Sequence, residues 1–365
     1  MDSKETQIQS SLSQEDEACL KAMLLCSSHV LHLVLNAAIE LDLFGIMAGA
    51  GPGPEAKMSP SDIASLLPIE TPNGPSMLDR MLRLFASYSL LTCSTSTSQD
   101  GKVERLYGLT PTAKFFIRGR DKNELASLYR LHCHPTTLEV WFHMKDVILE
   151  GGSTFEKAHG MSIFKYMDSN ESFRNIFHSA MVARSTIIME KVLEIYNGFQ
   201  GLTSLVDVGG GTGHCLHMII SKYPSILATN LELPHAIQNA PPYPGIKHVA
   251  GDMFESIPNS DAIMIKDVLH NWEDVDCIKL LRNCHEALPQ ENGKVIIIDI
   301  IMPETPDSSM ASKYASELDN IMLTQPGGRE RSRRELQALC EESGFSRFRI
   351  ACFALSVWAV VEFYK

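Results

Sequence analysis

His270 stands four positions beyond Lys266, the last residue of the aliphatic run Ala262–Lys266. That run reads as a buried strand, and ligands of an open α/β sheet gather beyond the carboxyl ends of its strands. A neutral imidazole in that layer can take a proton from a hydroxyl as the oxygen attacks, contributing typically ~10²–10⁴-fold. The imidazolium that forms needs carboxylates to orient and stabilise it. Two acids qualify. Asp299 ends the aliphatic strand Val295-Ile-Ile-Ile-Asp299, and Glu330 follows Pro326-Gly-Gly-Arg in a loop, between Arg329 and Arg331.

Upstream, Leu205-Val-Asp-Val-Gly-Gly-Gly-Thr-Gly213 reads as a buried strand entering a glycine turn, with a helix from about Cys215. Glycine is needed where backbone passes close to a ligand or takes positive φ. A dinucleotide fingerprint requires Gly-x-Gly-x-x-Gly; counted from Gly209 its third glycine falls on His214, and from Gly211 it fails at once. The remaining pattern, Asp207-x-Gly209-x-Gly211-x-Gly213, resembles the first motif of S-adenosylmethionine (SAM) methyltransferases. The resemblance implies that the cofactor's amino-acid part lies on the glycine backbone and that an acid on the next strand holds the ribose diol. Glu232 ends the run Ala228-Thr-Asn-Leu-Glu232, 21 positions after Gly211 (232 − 211). Gly251-Asp252-Met253-Phe254 closes a third strand with an acid and a large apolar residue suited to an adenine ring. A sulfonium methyl is already electrophilic, so the nucleophile is the difficulty. A phenol, with a pKa near ~10, needs a base such as His270.

The elements that position these groups follow from periodicity. Strand–helix alternation runs from Leu202 through strands at 204–208, 228–231, 247–250, 262–266 and 294–301, implying a parallel sheet covered on both faces. Residues 348–353 and 357–363 form a terminal hairpin, so the last strand is reversed. The fold expected is α/β, a class I SAM-methyltransferase Rossmann-like domain. Ahead of it, helical spacing between Leu20 and Ala48, a capped helix opening at Ser59-Pro-Ser-Asp62, a helix from Met77 to Leu90 and a hairpin resemble a winged-helix module. Residues 1–18 are expected to be disordered, 19–120 to form this helical dimerisation domain, 121–200 a helical linker with pocket helices, and 201–365 the SAM-binding catalytic domain. In the linker, Phe173, Phe177 and Met181 recur at i, i+4, i+8, a stripe that by periodicity alone reads as core.

Composition narrows the partners. Net charge is −12, with 44% hydrophobic and 21% charged residues. Nucleic acid and anionic membrane are poor partners for such a chain. Arg80 and Arg83 on the longer helix are too few for DNA reading. No 18-residue apolar run occurs, and the polar, acidic first 17 residues do not read as a signal peptide. Nine scattered cysteines point to a reduced, cytoplasmic chain. His132-Cys133-His134 is too tight for a zinc cage.

Taken with Met77-Leu-Asp-Arg-Met-Leu-Arg83, Gly101-Lys-Val-Glu-Arg-Leu-Tyr-Gly108, His270-x-Trp272 and Pro326-Gly-Gly-Arg-Glu330, these motifs resemble the plant caffeic acid O-methyltransferase family over nearly the whole chain. The resemblance implies a homodimer joined through the N-terminal domain, with a partner residue walling the pocket, and no metal. It implies that Asp207, Gly209, Gly211, Glu232, Asp252, Met253 and Lys266 serve SAM. His270 would be the base, flanked by Asp299 and Glu330. Phe173, Phe177, Met181, Ile321 and Met322 would line the phenol pocket, overriding the core reading of that stripe. Departures from the lignin-pathway pattern are Asp299 for glutamate, Asp267 for tryptophan and Asn271 for aspartate. Arg184 and His132 replace a substrate-facing histidine and asparagine, and Thr137 a leucine. They point to a specialised phenol: a benzylisoquinoline-type alkaloid slightly favoured, its amine held by Asp267, with a phenylpropanoid, furanocoumarin or lignan as alternatives. A different class, an inactive winged-helix scaffold, is opposed by the intact glycine turn, Glu232 and His270.

Overall fold

Three helices precede the first strand, and the first of them has a side-chain start signal. In this computed structural model, which describes residues 13–365 except 52, 54, 55, 98–100, 102, 120–123 and 239, they are Gln14–Cys26, Ser28–Glu40 and Leu43–Ala48. Residues 1–12 of the segment expected to be disordered lie outside the described residues, but from Gln14 onward that expectation is corrected. Ser13 accepts the Asp16 N–H at 3.1 Å, and Glu15, Asp16 and Glu17 fill the first turn, where negative charge suits the helix dipole. The acidic stretch Glu15–Glu17, expected to be disordered, is a helix start.

Contacts divide the chain into a unit of residues 1–133 and one of residues 134–365, so the expected linker is shared: helix Ala126–His132 goes with the first unit, the following helices with the second. In the first unit, Ser59 and Asp62 form a reciprocal capping box with Pro60 in the first turn. Helix Gly74–Ser87 buries Leu78, Leu82 and Phe85 on one face. Strands β1 (Lys57–Met58), β2 (Leu91–Thr97) and β3 (Val103–Leu109) pair antiparallel in the order β1-β3-β2. Arg83 and Arg105 both pair with Asp79, at 3.3 and 3.0 Å, and Tyr107 donates to the same carboxylate at 2.7 Å.

The second unit is built on the sheet formed by β4 (Ser204–Val208), β5 (Leu227–Glu232), β6 (Ile246–Ala250), β7 (Ala262–Lys266), β8 (Lys294–Met302), β10 (Arg347–Ala354) and β11 (Trp358–Tyr364), in the order β10-β11-β8-β7-β4-β5-β6. The two-residue strand β9 (Arg331–Ser332) pairs with the end of β8 at Ile301 and Met302. Strands β4 to β8 are parallel, whereas β11 runs antiparallel between β8 and β10, with Ala359 opposite Asp299. The pleat sends alternate residues to opposite faces. Leu205, Met264, Ile296 and Ile298 enter one buried cluster, and Val206, Ile263, Ile265 and Ile297 the other. Burial on both faces is why these strands read as unbroken aliphatic runs.

Candidate active site

The carboxyl end of β7 carries an abrupt change of direction. Asp267, directly after Lys266, has φ 54°, a left-handed conformation rare outside glycine, and a 3₁₀ turn Leu269–Asn271 follows. That turn places His270, 5% exposed, against Glu330: its Nδ1 lies 2.7 Å from Glu330 Oε1. The carboxylate only accepts, so Nδ1 donates and a neutral ring keeps Nε2 as an acceptor. A ring nitrogen of His270 and carboxylate oxygens of Asp267 and Asp299 lie within 4.8 Å of one another. Asp299 itself accepts the Asp267 backbone N–H at 2.8 Å. The structure thus brings all three expected groups together but gives them different tasks: Glu330 holds the ring, and Asp299 holds the strained backbone that leads to it.

Charge follows from this enclosure. Burial alone would lower the pKa of His270, but the Glu330 hydrogen bond and the charges of Glu330, Asp299 and Asp267 outweigh it and raise it. Burial pushes the Asp299 carboxyl up to about 7, against the opposing pull of His270. Burial would also raise Asp267, yet Arg184, Lys266 and His270 hold it well below the usual carboxylate range.

The cations at Asp267 correct one expectation. Asp267 Oδ2 accepts from Arg184 Nη2 at 2.9 Å and from Lys266 Nζ, which also donates to Ser185 at 3.1 Å. Its carboxylate is spent on the protein's own guanidinium and ammonium, so the site offers no free acid at 267 for a substrate amine. Arg184 is accordingly buried as half of an ion pair.

The glycine turn leaves room for a ligand. Gly211 has φ 56°, a Cβ built there would meet nothing within 4 Å, and its N–H donates to Glu232 Oε2 at 3.1 Å. Glu232 Oε1 accepts from Leu233 N–H at 2.7 Å, leaving further lone pairs on both oxygens for a diol. Gly210 is required for a different reason: a Cβ there would fall 2.3 Å from Asn230 Oδ1 and 2.4 Å from Asp207 Oδ2. Asp207 therefore lies beneath the turn, where burial pushes its carboxyl up to about 8. Asp252 turns back to accept the Phe254 N–H at 2.8 Å, and Met253 packs against the core beside Phe254 and Trp272.

Of the expected pocket residues, Phe177 and Met181 are half-buried on helix Glu171–Ile195, in register with Arg184. Phe173, on the same face, is 1% exposed between His134 (ring centroids 5.2 Å apart) and Tyr166 (5.4 Å), which is the core position its periodicity alone indicates. Ile321 and Met322, on helix Met310–Thr324, pack against the core cluster that contains Ile298 and Ile300. His132 ends helix Ala126–His132 of the first unit. Sequence reasoning missed Asp319, whose Oδ1 accepts the Glu330 N–H at 2.8 Å, and it gave no role to Arg331, which is 2% exposed. Neither has a local signal, because both depend on a loop folding back over them.

A glycine turn facing a strand-end acid, a buried imidazole–carboxylate pair and a reversed strand inside a parallel sheet together define a methyl-transferring enzyme of the Rossmann-like class. Residues 141–346 match the O-methyltransferase domain family and residues 23–119 the O-methyltransferase dimerisation domain family, and the chain belongs to this family of O-methyltransferases. It is 52% identical to a caffeic acid 3-O-methyltransferase of Prunus dulcis and 49% identical to that of Medicago sativa, each over 99% of this chain and 98% of the relative. In fold it is similar to human N-acetylserotonin methyltransferase in complex with SAM, with a TM-score of 0.80 and 21% identity over 98% of this chain and 99% of that one. A methyltransferase of calicheamicin biosynthesis, in its SAH-bound form, also superposes with a TM-score of 0.80 at 20% identity over 97% of this chain and 100% of that one.

Proposed function

We propose that this SAM-dependent O-methyltransferase methylates a ring hydroxyl of a phenylpropanoid, with His270 as the base. SAM, when bound, supplies a methyl group already electrophilic on its sulfonium. Glu232 is suited to the ribose diol, and the open backbone at Gly211 to the amino-acid end, with Gly209 held at positive φ against Val268 to shape the turn and Asp252 and Met253 toward the adenine. Lys266 joins that set through the charge cluster at Asp267, and Asp207 supports the turn from below. His270 Nε2 takes the phenolic proton as the oxygen attacks. Glu330 stabilises the imidazolium through Nδ1, and Asp299 keeps the preceding backbone in place. Phe177, Met181, Ile321 and Met322 offer apolar surface to an aromatic ring, with Phe173 behind them.

The observation that carries this reading is the enclosed His270–Glu330 contact at 2.7 Å, at the strand end beside the glycine turn. Relatives near 50% identity bearing the caffeic acid 3-O-methyltransferase name support the phenylpropanoid class, and the occupied Asp267 removes the ground for favouring an alkaloid. The test is product formation from SAM with a panel of catechol acids, aldehydes and alcohols, coumarins, lignans and phenolic amines, read by mass spectrometry. Catechol phenylpropanoids are expected to exceed phenolic amines in kcat/KM by roughly tenfold or more, since an amine meets no unpaired acid. Equal or better turnover of amines ends the phenylpropanoid reading.

We further assign a homodimer, supported by the match to a dimerisation domain and by helix Gln14–Cys26, which buries no residue in the single chain and leaves Met23 63% and Leu25 69% exposed. The cytoplasm is the compartment that fits nine free cysteines.

A further inference from the structure

Three segments carry the groups that meet at the imidazole: the turn bearing His270, the loop bearing Glu330, and β8 bearing Asp299. One residue touches all three regions through its side chain and its backbone. Arg331 Nη1 donates to the Leu269 carbonyl at 2.6 Å and Nη2 to the Trp272 carbonyl at 2.6 Å, so its planar fork spans the two ends of the His270 turn. Its Nε donates to Asp274 Oδ1 at 2.9 Å, just beyond that turn. Its own backbone pairs with β8 at Ile301, two residues past Asp299. Glu330 is its immediate neighbour.

The loop also closes onto the turn from the other side. The Arg329 N–H donates to the His270 carbonyl at 2.8 Å, and a Cβ at Gly328 would fall 1.8 Å from that oxygen. Gly328 is a position where only hydrogen fits. A guanidinium buried to 2% exposure is costly unless its donors are satisfied, and here the satisfying groups are the carbonyls that shape the catalytic turn.

We propose that Arg331 is a positioning residue: by clamping the Leu269 and Trp272 carbonyls while anchored to β8, it sets the register between His270 and Glu330. The proposal rests on the reading of His270 as the base. Without the fork, the turn and the loop stay in the chain but lose their fixed separation. The Glu330 carboxylate then no longer sits at hydrogen-bond distance from Nδ1, and the ring keeps only the nearby charges of Asp299 and of Asp267, the latter neutralised by Arg184 and Lys266.

Arg331→Lys keeps the charge and removes the fork, so it reads geometry rather than net charge. In histidine-labelled protein, with the His270 signal assigned through His270→Gln, the His270 midpoint followed by NMR is expected to move down, because burial lowers it once the Glu330 contact weakens. Turnover of a catechol phenylpropanoid is expected to fall on the order of 10²-fold in kcat, as misplacement of a reacting group does. KM for SAM and phenol should stay within about threefold, since no binding contact is removed. An unchanged His270 midpoint overturns the proposal. So does a kcat loss equal to the loss of folded protein. If Arg331→Lys does not fold, Arg331→Gln, whose amide can donate to one of the two carbonyls but not span both, is read the same way and decides it. Should the wild-type enzyme methylate no phenol at all, the proposed function falls, while the His270 titration still decides the clamp.

Discussion

At the scale of single residues, the site separates groups that share a charge type but not a task. His270→Ala is expected to lower kcat by about 10²-fold or more while SAM affinity measured by calorimetry stays nearly intact. Near-normal turnover at neutral pH would assign the base elsewhere. Glu330→Ala should cost more than Asp299→Ala in kcat, because Glu330 bonds the ring at 2.7 Å whereas Asp299 bonds the Asp267 backbone. Steady-state kinetics of the two variants settles the order. Asp207 gives a pH prediction. Its folded pKa, about 8, lies above the unfolded value, so its contribution to stability is complete below that unfolded value and is lost as pH rises through about 8. Asp207→Asn removes the titration, and its Tm should therefore decline less than the wild type's between about pH 5 and pH 8; parallel declines would mean that Asp207 ionises freely.

At the scale of elements, the ion pair between Arg184 on helix Glu171–Ile195 and Asp267 at the end of β7 ties the two together. Asp267→Asn leaves the buried Arg184 and Lys266 without their shared carboxylate and should destabilise the chain by about 3–5 kcal/mol in denaturant unfolding, whereas Arg184→Met should cost less because Lys266 still pairs with Asp267. The double variant should regain much of that loss, and additive losses would show that the pair is not coupled. The strands were legible in the sequence, since a sheet buried on both faces must spell long aliphatic runs, and Glu232 and His270 are named by where two of those runs stop; Asp299, expected to end its strand, instead lies inside β8, which runs on to Met302. The cap at Ser59 was legible for the same local reason. The partners of Asp267 and Arg331 were not. Arg184 lies 83 residues from Asp267 and Arg331 62 residues from Leu269, and no local spacing reports which charge will fold back onto which turn. The first helix was misread because an acidic, polar stretch has the same composition whether it is solvated coil or the opening turn of a capped helix.

At the scale of the whole molecule, association is the quantity to measure. Leu24 and Leu25 on the fully exposed helix Gln14–Cys26 supply apolar surface that a single chain leaves in water. Leu24→Glu with Leu25→Glu is expected to convert a dimer into a monomer in light scattering; an unchanged mass would move the interface elsewhere. The order of the large sheet also bears on how the gene tolerates damage. Strand β11 is the last to be translated of the seven strands in the main order, yet it sits inside the sheet, between β8 and β10. A premature stop before Trp358 would leave the isoleucine row of β8 as an open, sticky margin and β10 with nothing to pair to. A chain cut before Trp358 should therefore be a substrate for cellular degradation, although every residue of the site described above would still be present in it.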